Sequence, residues 1–133
     1  MDGDLDKPEV DSPRSRIDPS LEVTDIRWVP TRQRLTSICQ AHDEWLESNG
    51  RNGQQANLSN AALPSVDLSG YDLSDADLSN VDLSGADLSG IRLWHANLSG
   101  ADLSEANLCK AELPHSDLSE ATLQDANLVE ADF

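Results

Sequence analysis

Aromatic and basic residues are scarce in this 133-residue sequence. Three Trp, one Tyr and one Phe make up 4% of the chain, so a globular core packed with large rings is not expected. Lys and Arg number 9 against 25 Asp and Glu, which gives a formal net charge of −16. Because binding to a phosphate backbone needs Lys and Arg to displace its counterions, we expect no direct nucleic-acid binding. A basic protein partner suits this charge better.

Cysteines and long apolar runs are also few. Cys39 and Cys109 fall in different predicted regions, so we expect two reduced thiols and no disulfide framework. The acidic N-terminus has no apolar run behind it, and no stretch of 18 apolar residues occurs anywhere. We therefore expect a soluble, cytoplasmic protein that does not bind membranes.

The first 55 residues divide into two segments by composition. Residues 1–20 are rich in Asp, Pro and Ser with almost no apolar content, which predicts a disordered acidic tail. Residues 21–55 form a predicted capping segment. Its first part, from Leu21 to Trp28, is compatible with a short strand or an extended arm, and a helix is predicted at about residues 32–48.

The predicted helix has clear boundaries and an apolar stripe. Thr31 is the candidate N-cap, and Asn49 with Gly50 supplies a stop. Acidic residues near the C-terminal end oppose the helix dipole, so packing must hold this helix in place. We expect it to cover the open end of the following domain with four apolar side chains of its stripe: Leu35, Ile38, Trp45 and Leu46.

Residues 56–133 are an internal repeat with a period of five. Fifteen of sixteen pentads have Leu at the centre and the sixteenth has Phe133. The residue two before each centre is small or β-branched, except Tyr71. Five residues rotate an α-helix by about 140°, which would scatter the leucines around its circumference. An odd period also fails on a flat strand, where successive leucines would point to opposite faces.

A coil that turns a corner of about 90° every five residues buries all these leucines. Four pentads then complete one turn, and successive coils stack roughly 4.8 Å apart as parallel strands. The small residue two before each Leu also points inward. A disordered low-complexity tract is the alternative interpretation, but disorder gives no reason for Leu to stay in register.

The tandem pattern A(D/N)LSx, as in ADLSN, VDLSG and ANLSG, resembles the pentapeptide-repeat family over 78 of 133 residues. The resemblance implies an all-β solenoid, a right-handed quadrilateral β-helix of about four coils, here with an N-terminal α-helical cap. We expect a rigid acidic rod that acts as a non-catalytic protein–protein interaction or scaffold module. Some members resemble duplex DNA in width and charge and protect DNA gyrase, which provides the alternative function.

One side of the predicted solenoid departs from the repeat. We call residues 71–75, 91–95 and 111–115 the Trp94 face. Trp94 occupies a position where most pentads have Ser, so we expect it to be exposed beside an arginine, a composition typical of partner-binding anchors. The alternatives are that the N-terminal segment covers this face or that Trp94 is a tolerated single aromatic on the surface. The candidate partner-binding residues are Tyr71, Arg92, Trp94, His95, Pro114 and His115.

Other chemistry is less supported by the sequence. Asp72, Arg92 and Glu112 recur at intervals of 20 and should form an exposed ion-pair ladder. Asp75, His95 and His115 form a similar column, but a stable metal site needs more convergent ligands. We find no nucleophile with its base, no phosphate-binding loop and no paired-carboxylate cleft. The sequence therefore predicts no enzyme activity, no catalytic residue, no metal and no cofactor.

Both ends of a β-helix need covering, since they expose unpaired backbone and apolar side chains. Tyr71, which is too large for the middle of the core, falls in the first coil, where the capping segment could accommodate it. At the C-terminal end either Phe133 fills the core or two chains meet end to end through Leu128 and Phe133. We favour a homodimer there, as in dimeric members of the family it resembles.

Overall fold

The computed structural model describes residues 28–133. It contains one helix in this range, α1 (Arg32–Glu47), followed by a repetitive region whose strands are reduced to single parallel bridges. Within residues 28–133 no strand is longer than one bridge. The acidic tail predicted for residues 1–20, and the strand or arm predicted up to residue 27, lie outside the described residues.

The boundaries of α1 follow from local hydrogen bonds. The Thr31 hydroxyl accepts the Arg34 amide at 3.0 Å, which confirms the predicted N-cap. At the other end Ser48 is the C-cap, and the Gly50 amide donates to the Trp45 carbonyl at 2.8 Å. Asn49 and Gly50 both have positive φ, which turns the chain out of the helix.

The bridges of the repeat region pair residues 20 apart, from Asn57 with Asp77 to Glu112 with Asp132. Four pentads therefore separate neighbouring strands, as a coil that bends at every pentad requires. The hydrogen bonds run in both directions between coils. Leu63 donates to the Asp82 carbonyl at 2.8 Å, for example, and Asp82 donates back to Ala61 at 2.9 Å.

Each corner is a tight turn that begins at the central leucine. The amide three residues after the leucine donates to its carbonyl, as from Ala61 to Leu58 at 3.1 Å. The last residue of the pentad, which sits third in the turn, has φ near +60°, as in Asn60 and Glu105. A positive φ at this position is typical of a type II turn, which explains why Gly or Asn often occupies it.

The core is a column of leucines and small side chains. Leucines from Leu58 to Leu113 are buried, as are most of the small residues two positions before them. Burial of each leucine stabilises the fold by about 1.5–3 kcal/mol. Exposure rises from Ser116 onward, and Leu128 and Phe133 are exposed. Within the described residues no further coil stacks on these last pentads.

The first coil, residues 56–75, is contacted by Trp28 and α1. Trp28 forms a parallel bridge with Ala61, and its indole nitrogen donates to the Ser59 carbonyl at 2.9 Å. His42 of α1 reaches two backbone groups of the same coil, on Ala56 and Ser74. Helix and solenoid are therefore joined by polar contacts as well as by apolar packing.

Candidate functional site

A local hydrogen-bond motif recurs on the outer surface of the solenoid. In seven pentads the Asp or Asn before the Leu accepts from the amide and the hydroxyl of the Ser after it, as Asp82 does from Ser84 at 3.0 and 2.7 Å. The same geometry recurs at Asn57, Asp67, Asp77, Asp87, Asn97 and Asp102. These side chains bond to each other, so little of their hydrogen-bonding capacity is directed at a partner.

The Trp94 face breaks this motif. Trp94 and Pro114 replace the serines, while Arg92 and Glu112 replace the aspartates. One copy of the Asp–Ser arrangement remains, where the Ser74 amide donates to Asp72 at 3.0 Å. The polar groups of this face therefore make contacts between coils instead of within one pentad.

Glu112 organises the centre of the Trp94 face. Its Oε1 atom accepts the Trp94 indole N–H at 2.9 Å and lies 3.4 Å from Nε of Arg92. Arg92 also lies 3.6 Å from a carboxylate oxygen of Asp72 in the coil above. The indole nevertheless stays 43% exposed, so it is held in place yet presented to solvent.

The two histidines of the column stack on each other. The rings of His95 and His115 lie 5.0 Å apart at an interplanar angle of 8°. The His95 amide donates to the Pro114 carbonyl at 3.1 Å, which keeps the two pentads in register. Among residues 28–133 no group of three His, Cys, Asp or Glu side chains could hold a metal ion.

Tyr71 stands at the upper edge of this face. Its side chain is 37% exposed, whereas Ile91 at the equivalent position one coil below is buried. The ring thus lies outside the core and borders a groove beside α1. All six candidate residues therefore lie on one side of the molecule. Glu112 is the contributor that sequence reasoning treated only as part of an ion-pair ladder.

The contact face of α1 differs in detail from the predicted stripe. Leu35 is buried, whereas Ile38, Trp45 and Leu46 are partly buried. The other buried residues of the helix are Cys39 and His42. His42 is 0% exposed, and its Nδ1 accepts the Ala56 amide at 2.9 Å while its Nε2 lies 2.8 Å from the Ser74 carbonyl. Nε2 must therefore carry the proton.

The two thiols lie in different environments. Burial, with a smaller contribution from the charge of Asp43, raises the pKa of Cys39 to about 11, so this thiol stays protonated at neutral pH. Cys109 replaces a serine of the repeat, and its amide donates to the Asn107 side chain at 3.1 Å. Both cysteines are free.

Two further findings concern the termini and membranes. Leu128 is 38% exposed and Phe133 is 55% exposed, so neither side chain fills the core. The only helix in residues 28–133 is too short and too polar to span a bilayer.

Comparisons with known proteins identify the repeat. A sequence profile built from eight copies of the pentapeptide repeat matches this chain over residues 54–90, 86–125 and 96–133. A pentapeptide repeat protein from Nostoc PCC 7120 is 33% identical, with a TM-score of 0.59 over 71% of this chain and 74% of its own. One from the Arabidopsis thaliana thylakoid lumen is 29% identical, with a TM-score of 0.57 over 59% of this chain. The match spans just over half of that protein, 55%. A search of curated protein sequences found no match.

Proposed function

The chain belongs to the pentapeptide-repeat family, whose members form right-handed quadrilateral β-helices, and we propose that it is a non-catalytic interaction module that binds a protein through the Trp94 face. Proteins of this family generally act as structural or interaction modules. The observation that carries the proposal is the exposed indole of Trp94, fixed by Glu112 beside Arg92.

A fixed aromatic side chain is well suited to binding. Trp and Arg are the residues that most often dominate the energy of protein interfaces. Ordering a mobile side chain on binding costs about 0.5–1.5 kcal/mol, and the hydrogen bond to Glu112 lowers that cost for Trp94 before any partner arrives. The stacked coils below hold the whole face rigid.

The absence of catalysis is part of this proposal. The most buried histidine, His42, uses both ring nitrogens on backbone groups, so it is not available as a general base. The Cys39 thiol is buried and stays protonated. Neither side chain supplies the activated pair that nucleophilic catalysis needs.

The test begins with affinity purification of the full chain from its native host. The partner's affinity is then measured for wild type and for Trp94→Ala. Loss of a central aromatic anchor should weaken binding by 2 kcal/mol or more, about 30-fold. Val129→Ala, which shortens an exposed apolar side chain of another face, is the matched control and should bind like wild type. Equal affinity for Trp94→Ala and wild type would contradict the proposal.

Gyrase protection is the second candidate function, and the charge of the solenoid favours it. Residues 56–133 carry 14 acidic and 2 basic residues, a net charge of −12. A rod with this charge would compete with DNA for a basic saddle. A supercoiling assay with and without a quinolone tests the idea, and an unchanged inhibition curve at micromolar protein would exclude it.

The arrangement at the two ends completes the proposal. We propose that α1 acts as a cap on the first coil, through the contacts of Leu35, Cys39 and His42. We also propose a homodimer through the exposed Leu128 and Phe133, tested by light scattering of wild type and Phe133→Asp. A monomeric wild type would argue against the dimer.

We also propose a cellular setting, which charge and redox state support. Free thiols at Cys39 and Cys109 support a cytoplasmic location, where such thiols stay reduced. The acidic surface supports a basic protein partner over nucleic acid or an anionic membrane.

A further inference from the structure

A groove separates the C-terminal half of α1 from one corner of the first coil. Its volume is about 460 Å³. It adjoins the Trp94 face, because Asp72 borders the groove and also lies 3.6 Å from Arg92. The side chains and backbone that line it come from both elements and include Asp43, Leu46, Glu47, Gly70, Tyr71 and Asp72.

Two residues of the first coil, Tyr71 and Gly70, leave this groove open. Tyr71 stands where other pentads bury a small side chain, and its ring, 37% exposed, forms part of the wall. Gly70 has a φ of +73° and nothing within 4 Å of the place where a side chain would begin. The groove therefore offers an aromatic ring and the side chain of Leu46 beside open space.

The charges around the groove are unbalanced. Asp43, Glu47 and Asp72 contribute three carboxylates, and within residues 28–133 neither Asp43 nor Glu47 makes an ion pair. The last turn of α1 contains no basic residue, although its C-terminal carbonyls already carry partial negative charge. Acidic side chains at this position destabilise the helix end. A cation in the groove would offset both effects.

We infer that this groove binds a lysine or arginine side chain of the protein partner that the Trp94 face recognises. The inference rests on the proposed function, because the groove continues that face. A long cationic side chain fits the wall chemistry, since its apolar stem can pack on Leu46 and Tyr71 while its charged end meets the carboxylates. The tyrosine ring adds a cation–π contact. The groove thus selects a basic side chain placed next to the residue that contacts Trp94.

The test uses the isotope-labelled full chain and two tripeptides, acetyl-Gly-Arg-Gly-amide and its neutral citrulline analogue. We expect saturable chemical-shift changes at Leu46, Gly70 and Tyr71 with the arginine peptide, and about tenfold weaker binding of the citrulline peptide. Asp43→Asn with Glu47→Gln should weaken the arginine peptide about tenfold. The matched control, Glu105→Gln with Asp125→Asn, removes two charges from another face and should change binding less than twofold.

Two results would overturn the inference. The first is that the chemical-shift changes spread evenly over the acidic residues of the solenoid and persist in the Asp43/Glu47 variant. This result would indicate nonspecific charge attraction. The second is that the arginine tripeptide changes the shifts of the groove residues only after Arg14 and Arg16 are replaced by Gln. This result would show that the chain's own N-terminal segment occupies the groove.

The proposed function and the groove inference can fail independently, and the variants distinguish the two failures. Trp94→Ala should leave the affinity for the tripeptide unchanged and should lower the affinity for the complete partner protein. If Trp94→Ala binds the partner normally and the tripeptide still occupies the groove, the Trp94 face is wrong and the cation site stands. If Trp94→Ala weakens the partner but the Asp43/Glu47 variant binds it like wild type, the groove inference is wrong.

Discussion

Replacing His42 tests whether hydrogen bonds from one side chain hold α1 on the first coil. His42 is fully buried, and its ring joins the Ala56 amide at 2.9 Å to the Ser74 carbonyl at 2.8 Å. Ala56 and Ser74 are buried as well. Without the ring, a buried donor and a buried acceptor lose their partner.

The expected loss is large for a single side chain. An unsatisfied buried polar group costs about 1–3 kcal/mol, so two such groups cost about 2–6 kcal/mol. His42→Ala adds a cavity to this penalty. His42→Phe keeps a ring of similar size and removes only the hydrogen bonds, so it isolates the polar contribution. Gln40→Ala, on the exposed side of the same helix, is the control and should change stability by less than about 0.5 kcal/mol.

Urea unfolding followed by circular dichroism measures the global loss, and amide hydrogen exchange of α1 measures local detachment. We expect both His42 variants to lose at least about 2 kcal/mol of protection in α1. The reasoning is refuted if His42→Phe protects α1 as well as wild type does. Apolar packing alone would then hold the helix.

Three further predictions follow from backbone geometry and local hydrogen bonds. Gly53→Ala should destabilise the chain by about 2 kcal/mol or more, because its Cβ would collide with the backbone carbonyl oxygen of Ala41 in α1. Gly50→Ala, with its nearest contact at 3.5 Å, should lose about 1 kcal/mol in the same urea titration. Glu105→Gly should raise the free energy of unfolding by about 0.5–1 kcal/mol, because it relieves a residue with φ of 61°, and Glu105→Ala should not. Hydrogen bonds from the following serine amide and hydroxyl lower the pKa of Asp67 and of Asp117. These carboxylates bind protons less readily when folded, so their contribution is present above the unfolded pKa of about 3.9 and lost as pH falls through the lower folded value. Urea midpoints measured at pH 6 and pH 3 test this predicted loss of stability at low pH, and equal midpoints would contradict the prediction.

The solenoid is the part of the fold that the sequence predicts best. Leucine at every fifth position leaves few backbones able to bury it, and the bridges 20 residues apart follow from that geometry. The prediction needs no knowledge of the outward side chains. For the same reason it says little about function, because the outward positions are free to vary once the core is satisfied.

The contact face of α1 was harder to predict, for a definite physical reason. Six side chains of α1 recur at helical spacing, and the spacing does not show which of them are fully buried: Leu35, Ile38, Cys39, His42, Trp45 and Leu46. The side chain that fits is selected partly by two backbone groups at the edge of the first coil, which require hydrogen-bond partners. No hydrophobic pattern reveals such groups, so helical spacing alone does not show the two hydrogen bonds that His42 makes.

Tyr71 is a second residue whose position the sequence predicts only in part. Its position in the repeat points inward, but its side chain is too large for the core. The sequence reveals this conflict but does not show where the ring lies. In the structure the ring moves outward and α1 passes beside it, which creates the groove. The groove depends on two elements far apart in sequence, and periodicity within one element cannot predict it.

The proposed binding role of the Trp94 face is supported by features of that face that do not stabilise the fold. In seven pentads elsewhere on the solenoid an Asp–Ser or Asn–Ser pair satisfies its own hydrogen bonds, as Asp82 and Ser84 do. Trp94 gives up the serine hydroxyl of such a pair and leaves a large aromatic surface in water, which opposes folding stability. Glu112 then orients the indole, although orientation of an exposed ring adds little to the core. A side chain that is both exposed and held in place gains most when another surface covers it, and that gain is what a binding site provides.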